Sequence, residues 1–149
     1  MSVRLRPMRL ADLDAVLALE EELFAPDTWT RAMYRDELAR TDTRSYLVAE
    51  DEGAVVGYAG LIAYDDEAHV ATIGVARARQ GEGIGALLLD ALLAEADRRS
   101  PVVLLEVRAD NDLAQGLYRR RGFTEIGRRP RYYQPSNTDA VVMRRELLR

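Results

Sequence analysis

Residues 76–89 have the sequence Ala76-Arg77-Ala78-Arg79-Gln80-Gly81-Glu82-Gly83-Ile84-Gly85-Ala86-Leu87-Leu88-Leu89, with three glycines at alternate positions. The short apolar run at residues 71–75, just before this stretch, is typical of the end of a strand. After it, apolar residues recur with a helical period until Ser100-Pro101. Glycines placed in this way let the backbone turn tightly and point several N–H groups outward at the start of a helix. The stretch therefore predicts a strand, an anion-binding loop suited to phosphate or pyrophosphate, and a long helix.

Length and composition limit the class of protein. With 149 residues, of which 48% are hydrophobic, we expect one domain over residues 1–149 with a core of its own. No run of about 18 apolar residues occurs, so we expect no membrane span. The first residues lack the apolar core of a signal peptide, and we therefore expect a cytoplasmic protein. The net charge of -4 argues against a general nucleic-acid binder.

The chain has no cysteine and one histidine, His69. These counts exclude thiol nucleophiles, disulfides and the usual zinc-ligand spacings, and we expect no metal site. His69 lies in a strand-like run, where we expect it to have a structural or solvent-facing role. The last third of the chain is rich in arginine, which we interpret as a solvated basic face in preference to a dedicated anion site.

The periodicity of apolar residues predicts an α/β fold with a mixed sheet. The predicted strands are residues 3–8, 45–50, 54–63, 67–75, 102–108, 123–128 and 140–147. The predicted helices are residues 11–24, 29–38 and 84–99, and a short helix that is capped by Asp110-Asn111-Asp112 and extends through Arg121. The continuous apolar run at residues 102–105 is typical of a central strand that is covered on both faces.

Other kinds of glycine loop fit the sequence less well. Gly81-x-Gly83-x-x-Ala86 matches the dinucleotide-binding fingerprint, and Glu106 follows about 20 residues later. However, residues 76–80 separate the strand from the first glycine, and too little chain remains for a large doubly wound sheet. A P-loop is excluded because no Gly-Lys-Ser/Thr follows. A purely structural turn is disfavoured because three glycines cost conformational entropy that a plain turn does not require.

The segment Gln80-Gly81-Glu82-Gly83-Ile84-Gly85 matches the pattern Gln/Arg-x-x-Gly-x-Gly/Ala. Together with the preceding Ile73-Gly74-Val75, it resembles the acetyl-CoA loop of the GNAT acetyltransferases. The resemblance covers nearly the whole chain, because residues 105–111 and 117–123 are similar to the next GNAT segment.

More narrowly, the chain resembles the bacterial ribosomal-protein-alanine N-acetyltransferases (RimI type). The supporting residues are Asp66-Glu67-Ala68, the stretch from Arg129 to Tyr133, and Asp139-Ala140 with Met143. Two positions depart from the family pattern. Arg77 stands where the family often has proline, and the family's Pro-Trp dipeptide is extended to Pro26-Asp27-Thr28-Trp29.

The resemblance implies a GNAT-like fold, with a mixed central sheet of about seven strands flanked by about four helices. It also implies acetyl-CoA as co-substrate, bound by the backbone of one strand and by the glycine loop. The implied cofactor-binding residues are Ile73, Gly74, Val75, Gln80, Gly81, Glu82, Gly83, Ile84, Gly85, Ala86 and Asn111.

Two residues correspond to the catalytic pair of the family. Glu106 corresponds to the general base, and Tyr118 to the general acid that returns a proton to the CoA sulfur. Glu106 ends an apolar strand, where we expect burial to raise its pKa. The alternatives are a surface carboxylate paired with Arg108, and a tyrosine that only packs on the sheet. Because the chain has no cysteine, an acyl-cysteine route is impossible, and we expect direct attack by the amine in a ternary complex.

For the acceptor, we expect Trp29, Tyr132 and Tyr133 to form the walls of a groove. The resemblance implies transfer of acetyl from acetyl-CoA to a protein N-terminal α-amine, most of all that of a small-subunit ribosomal protein beginning with alanine. An α-amine, with a pKa of about 8, needs less help to deprotonate than a lysine with a pKa of about 10.4. The alternatives are a lysine side chain or small-molecule amine as acceptor, and a non-catalytic CoA-binding regulatory module. The presence of both Glu106 and Tyr118 argues against the module, because a protein that only binds CoA needs neither.

Overall fold

The computed structural model describes residues 2–147. Within that range the chain forms seven strands and four α-helices, which confirms the predicted α/β fold with about seven strands and about four helices. The strands are β1 (Val3–Pro7), β2 (Arg44–Asp51), β3 (Ala54–Ala63), β4 (Ala68–Val75), β5 (Val102–Arg108), β6 (Thr124–Tyr133) and β7 (Thr138–Glu146). The helices are α1 (Leu13–Phe24), α2 (Arg31–Ala39), α3 (Ile84–Arg99) and α4 (Asp112–Arg120). None of these helices has the length and apolar character of a membrane span.

All seven strands belong to one sheet, in the order β1-β2-β3-β4-β5-β7-β6. Neighbouring strands are antiparallel except for β4 and β5, which are parallel. Within the described residues, β4 and β5 pair only where Ala68 lies beside Val103 and His69 beside Leu104. Past His69 the edge of β4 that faces β5 therefore has backbone N–H and C=O groups that are free to bind a ligand. This opening in the middle of the sheet positions the site.

Each face of the sheet is covered by helices. On one face, α3 buries a row of apolar side chains at helical spacing against the inner strands: Ile84, Leu88, Leu89, Leu92, Leu93 and Ala96. On the other face, α1 and α2 enclose a second cluster in which three tyrosines take part: Met8, Leu13, Val16, Leu19, Tyr34, Tyr46, Val48 and Tyr58. The two clusters hold β4 from both sides.

Local sequence explains where the functional helices begin. Gly83 precedes the first residue of α3 with φ at 87°, a left-handed conformation that residues with a Cβ rarely adopt. Asn111 caps α4, and its Oδ1 accepts a hydrogen bond of 3.1 Å from the Ala114 N–H. The prediction of an N-cap at residues 110–112 is confirmed.

The β6–β7 hairpin is longer than its sequence predicts. β6 extends to Tyr133, whereas the periodicity of apolar residues ends at residue 128. The pairing shifts between Arg129, which lies opposite Ala140, and Tyr133, which lies opposite Thr138. Extra residues on β6 bulge outward here, with Arg131 at a φ of 52°. The bulge interrupts the alternation that would have indicated a strand.

Candidate active site

Three adjoining cavities form one cleft along the opening between β4 and β5. The first, of about 420 Å³, lies between the end of β4, the glycine loop and α4. A throat of about 130 Å³ follows between β4 and β5. The third cavity, of about 380 Å³, lies between β4, β5 and the end of β6. Tyr118 lines the first cavity and the throat, and Glu106 lines the throat and the third cavity.

The first cavity contains the residues predicted to bind the cofactor, with one exception. Its lining includes Ile73, Gly74, Val75, Gln80, Gly81, Gly83, Ile84, Gly85, Ala86 and Asn111. Glu82 is the exception: its carboxylate accepts hydrogen bonds of 3.0 and 3.1 Å from Nε of Arg79. Arg79 also binds Asp51 at the end of β2, so Glu82 helps to hold the loop in place.

The glycine loop suits a ligand with negatively charged oxygens. Gly81 and Gly83 have φ values of 86° and 87°, and a Cβ at either would meet nothing within 4 Å. A side chain at either position would have room, so it is the positive φ, and not a steric clash, that requires glycine there. The N–H groups of residues 84–86 open α3 and have no acceptor within the helix, since the first helical acceptor, Gly83 O, is taken by the Leu87 N–H. Gln80 fixes the loop to the strand, because its Nε2 donates to Val75 O at 3.1 Å.

Glu106 lies on β5, where its side chain is 9% exposed. Its Oε1 lies 3.0 Å from Nε2 of His69 and accepts a hydrogen bond of 3.1 Å from the Tyr132 hydroxyl. Burial raises the pKa of Glu106, but the hydrogen bonds from His69 and Tyr132 and the neighbouring positive charge outweigh burial and leave the pKa below its usual range. The prediction of a raised pKa is therefore wrong in sign, because the sequence does not show these two donors.

His69 is a site residue that sequence reasoning missed. It was expected to be structural or solvent-facing, yet it projects from β4 across the opening to Glu106. The parallel pairing of His69 with Leu104 brings the two side chains together, because Glu106 is two residues further along β5 and on the same face as Leu104. The contact between His69 and Glu106 could be predicted only from the register between β4 and β5, which the sequence does not show.

Tyr118 is buried on α4, with 4% of its surface exposed. Its ring packs edge-on against Phe123, with the ring centroids 5.8 Å apart. Burial raises the pKa of the Tyr118 hydroxyl, so the phenol keeps its proton at neutral pH and can donate it. Its position between the first cavity and the throat agrees with a role at the junction of the two.

The three aromatic residues expected at the acceptor side are brought together. Trp29 and Tyr133 line the throat and the third cavity, and Tyr132 lines the third cavity. Tyr132 and Tyr133 pack edge to face with centroids 5.0 Å apart, and guanidinium groups lie over both rings: Arg129 over Tyr132 and Arg108 over Tyr133. These contacts hold the end of β6 against the cleft.

Asp27 joins several of the segments that surround the third cavity. It is 3% exposed and pairs with Arg108 of β5, so Arg108 does not pair with Glu106. Its carboxylate also accepts hydrogen bonds from the Ser136 N–H at 3.0 Å and the Ser136 hydroxyl at 2.6 Å. The α1–α2 connection, β5 and the β6–β7 turn are thus joined through one carboxylate. Sequence reasoning missed this role, because the partners lie 81 and 109 residues away.

The fold and the cleft define an acyl-transfer enzyme with a loop for a phosphate-bearing co-substrate. Residues 13–123 match the acetyltransferase (GNAT) family, and the chain belongs to this family as an acetyl-CoA-dependent N-acetyltransferase. The resemblance seen in the sequence is thereby confirmed.

Two relatives and one solved structure are similar to this chain over most of its length. The chain is 45% identical over 143 residues to the N-alpha-acetyltransferase RimI of Mycobacterium tuberculosis, covering 91% of this chain and 87% of the relative. It is 32% identical over 135 residues to the ribosomal protein bS18-alanine N-acetyltransferase of Salmonella typhimurium, covering 89% of each. The crystal structure of the ribosomal-protein-S18-alanine N-acetyltransferase from Escherichia coli superposes with a TM-score of 0.87 at 26% identity, covering 99% of this chain and 95% of that one.

Proposed function

We propose that this enzyme transfers the acetyl group of acetyl-CoA to the N-terminal α-amine of a protein, by direct attack of the amine in a ternary complex. The observation that carries the proposal is the continuous cleft, which joins the glycine loop through a narrow throat to an aromatic pocket. Glu106 and Tyr118 face the throat from opposite cavities. A co-substrate bound at one end and an amine entering from the other would meet between these two residues.

The first cavity holds acetyl-CoA in this proposal. The N–H groups of the glycine loop and of the first turn of α3 bind the pyrophosphate, and the free edge of β4 at Ile73 to Val75 binds the pantetheine chain and the acetyl carbonyl. The bound co-substrate supplies an acetyl group activated as a thioester. Position 74 has no room for a side chain, because a Cβ there would lie 2.8 Å from the ring and hydroxyl of Tyr58. Only the backbone of Gly74 is therefore available to the pantetheine chain.

Glu106 serves as the general base. Its lowered pKa keeps the carboxylate ionised at neutral pH, so it is ready to accept the proton that the attacking nitrogen loses, directly or through one water. His69 and Tyr132 both donate to Oε1, which leaves Oε2 for the acceptor. The C–N bond then forms, the C–S bond breaks, and Tyr118 donates its proton to the departing sulfur.

The electrostatics of the base favour an α-amine as acceptor. A carboxylate with a lowered pKa is a weak base. It would deprotonate an α-amine, with a pKa of about 8, more readily than a lysine, whose pKa of about 10.4 is roughly 2 units higher. The aromatic walls Trp29, Tyr132 and Tyr133 suit the first residues of an extended peptide. The names of the relatives support a ribosomal protein beginning with alanine as the acceptor, and an enzyme with such an acceptor would act in the cytoplasm.

Two peptides test the proposal. One carries a free alanine N-terminus and an internal lysine, and the other has the same sequence with the N-terminus blocked. Mass spectrometry after incubation with acetyl-CoA should show one added acetyl group on the first residue of the free peptide and none on the blocked one. Acetylation of the lysine in both peptides would contradict the proposal. Intact-mass comparison of ribosomal proteins from cells with and without the enzyme then identifies the natural acceptor.

A further inference from the structure

Three carboxyl groups line the throat, and the reaction described above does not use that of Glu20. Glu20 lies on the buried face of α1 and is 1% exposed. Its neighbours Glu21 and Glu22 on the same helix are exposed. Burial of a carboxyl group is costly unless it is paired or neutral, so its position on this face of the helix calls for a reason. Glu20 lines the same cavity of about 130 Å³ as Glu106.

The groups around Glu20 leave it without a cation. From α2, the Tyr34 hydroxyl donates a hydrogen bond of 2.6 Å to its Oε1. From β3, the hydroxyl of Tyr58 is buried without a hydrogen-bond partner within residues 2–147. The charged groups that face the throat from other elements are paired elsewhere: Asp27 with Arg108, and Glu106 with His69. The uncharged polar residues Tyr118, Tyr133, Thr72 and Asn111 also line the throat.

The surroundings of Glu20 and Glu106 shift the pKa values of the two carboxyl groups in opposite directions. Burial raises the pKa of Glu20 to about 7, although the hydrogen bond from Tyr34 opposes it. The pKa of Glu106 is lowered, mainly because His69 donates to it. Two carboxyl groups whose surroundings separate their pKa values commonly have two different roles in one site.

We propose that Glu20 is a substrate-binding residue that holds the acceptor's α-ammonium group in the throat, beside Glu106, which then takes its proton. This assignment rests on the proposed function. An α-amine with a pKa of about 8 arrives mostly as an ammonium ion at neutral pH. Entering a narrow cavity costs that ion most of its hydration, so it needs an anionic partner that is not already neutralised. Glu20 meets this need, and the ammonium group in return stabilises the ionised carboxylate.

Glu20→Gln tests the assignment, because glutamine keeps the size of the side chain and can still accept from Tyr34. We expect KM for a peptide with a free alanine N-terminus to rise about tenfold or more, the loss of one charge-assisted hydrogen bond. KM for acetyl-CoA should not change, because Glu20 does not line the first cavity. Glu21→Gln, on the exposed face of the same helix, is the matched control and should leave both KM values as they are.

The pH profile separates binding from a merely structural role. In the wild type, kcat/KM for the peptide should fall as pH drops through 7, because protonated Glu20 no longer attracts the ammonium ion. Tyr34→Phe removes a hydrogen bond that lowers the pKa of Glu20, so this fall should move to higher pH, whereas in Glu20→Gln it should disappear. A uniform loss of activity at every pH in Tyr34→Phe, with no shift of the profile, would overturn the assignment.

The outcomes also separate this inference from the proposed function. If the wild-type enzyme acetylates no peptide α-amine, the proposed function fails and the role of Glu20 fails with it. If the wild type acetylates the peptide and Glu20→Gln has an unchanged KM for it, only the role of Glu20 fails. Should Glu20→Gln not fold, the wild-type and Tyr34→Phe profiles alone decide the question.

Discussion

The two ends of the cleft are built in different ways. The first cavity is formed mostly by one continuous stretch, from Ile73 on β4 through the glycine loop to the first turn of α3, and four of its lining residues are glycines that offer only backbone groups. The third cavity is formed by side chains from five separate segments that ion pairs and aromatic contacts hold together. A backbone site depends on local conformation, whereas a side-chain site depends on long-range packing. Substitutions should therefore affect the two ends independently.

We expect the largest effect of a substitution at Glu106, the proposed base, where kcat should fall while binding of acetyl-CoA stays the same. Glu106→Gln removes the proton acceptor but keeps the size and most hydrogen bonds of the side chain. We expect kcat to fall by about 10²- to 10⁴-fold, the usual contribution of a positioned general base. The dissociation constant for acetyl-CoA, measured by calorimetry, should not change, because Glu106 does not line the first cavity. An unchanged kcat would remove Glu106 from its role as base.

Gly83→Val should produce the opposite pattern. With φ at 87°, a β-branched residue is strained, and relief of the strain turns the N–H groups of the loop away from the ligand. We expect KM for acetyl-CoA to rise about tenfold, equivalent to about 1.4 kcal/mol, with little change in KM for the peptide.

A matched control for Gly83 exists in the β2–β3 turn. Gly53 has a φ of 82°, and a Cβ there also meets nothing within 4 Å. Gly53→Val should lower the midpoint of thermal unfolding about as much as Gly83→Val does, but leave both KM values unchanged. If Gly83→Val retained full affinity for acetyl-CoA, the loop would not be the pyrophosphate site.

Asp27→Asn should weaken the acceptor end alone. Arg108 and Ser136 lose their charged partner, so the α1–α2 connection is less firmly held against β5 and the β6–β7 turn. We expect a severalfold increase in KM for the peptide and no change in KM for acetyl-CoA, by steady-state kinetics at saturating co-substrate. A matching change in both KM values would show that the two ends are coupled.

The same substitution has a consequence for stability. Burial raises the pKa of Asp27, but its hydrogen bonds and the charge of Arg108 lower the pKa by more than burial raises it. The pKa of Asp27 is therefore below its usual range in the folded protein. The stabilisation is therefore fully present above the unfolded pKa of about 3.9 and is lost as pH falls through the folded value. Wild type and Asp27→Asn should differ in unfolding midpoint at neutral pH and converge in acid.

The difference between the two ends also explains how far the sequence could be interpreted. The strand, loop and helix at residues 73–99 were predicted almost to the residue, because glycine positions and helical periodicity are local signals. The roles proposed for Glu106 and Tyr118 came only from the resemblance to a family. The contacts of His69, Asp27 and Glu20 were not predicted, because they depend on which strands pair, where β4 and β5 separate, and which helix covers the opening. No single-sequence pattern contains that information.

The smallest predicted effect concerns the hydrogen bonds to the base. Replacing His69 with alanine removes the stronger of two donors that lower the pKa of Glu106, and Tyr132→Phe removes the weaker one. Because the base must be ionised, the acid limb of kcat against pH should move to higher pH in both variants, and further in His69→Ala. At pH values well above the limb, both variants should retain most of the wild-type kcat, since Glu106 is then ionised without help. A loss of kcat that does not recover at high pH would mean that His69 takes part in the proton transfer itself, and the acceptor end would then depend on a carboxylate–histidine pair in place of a single base.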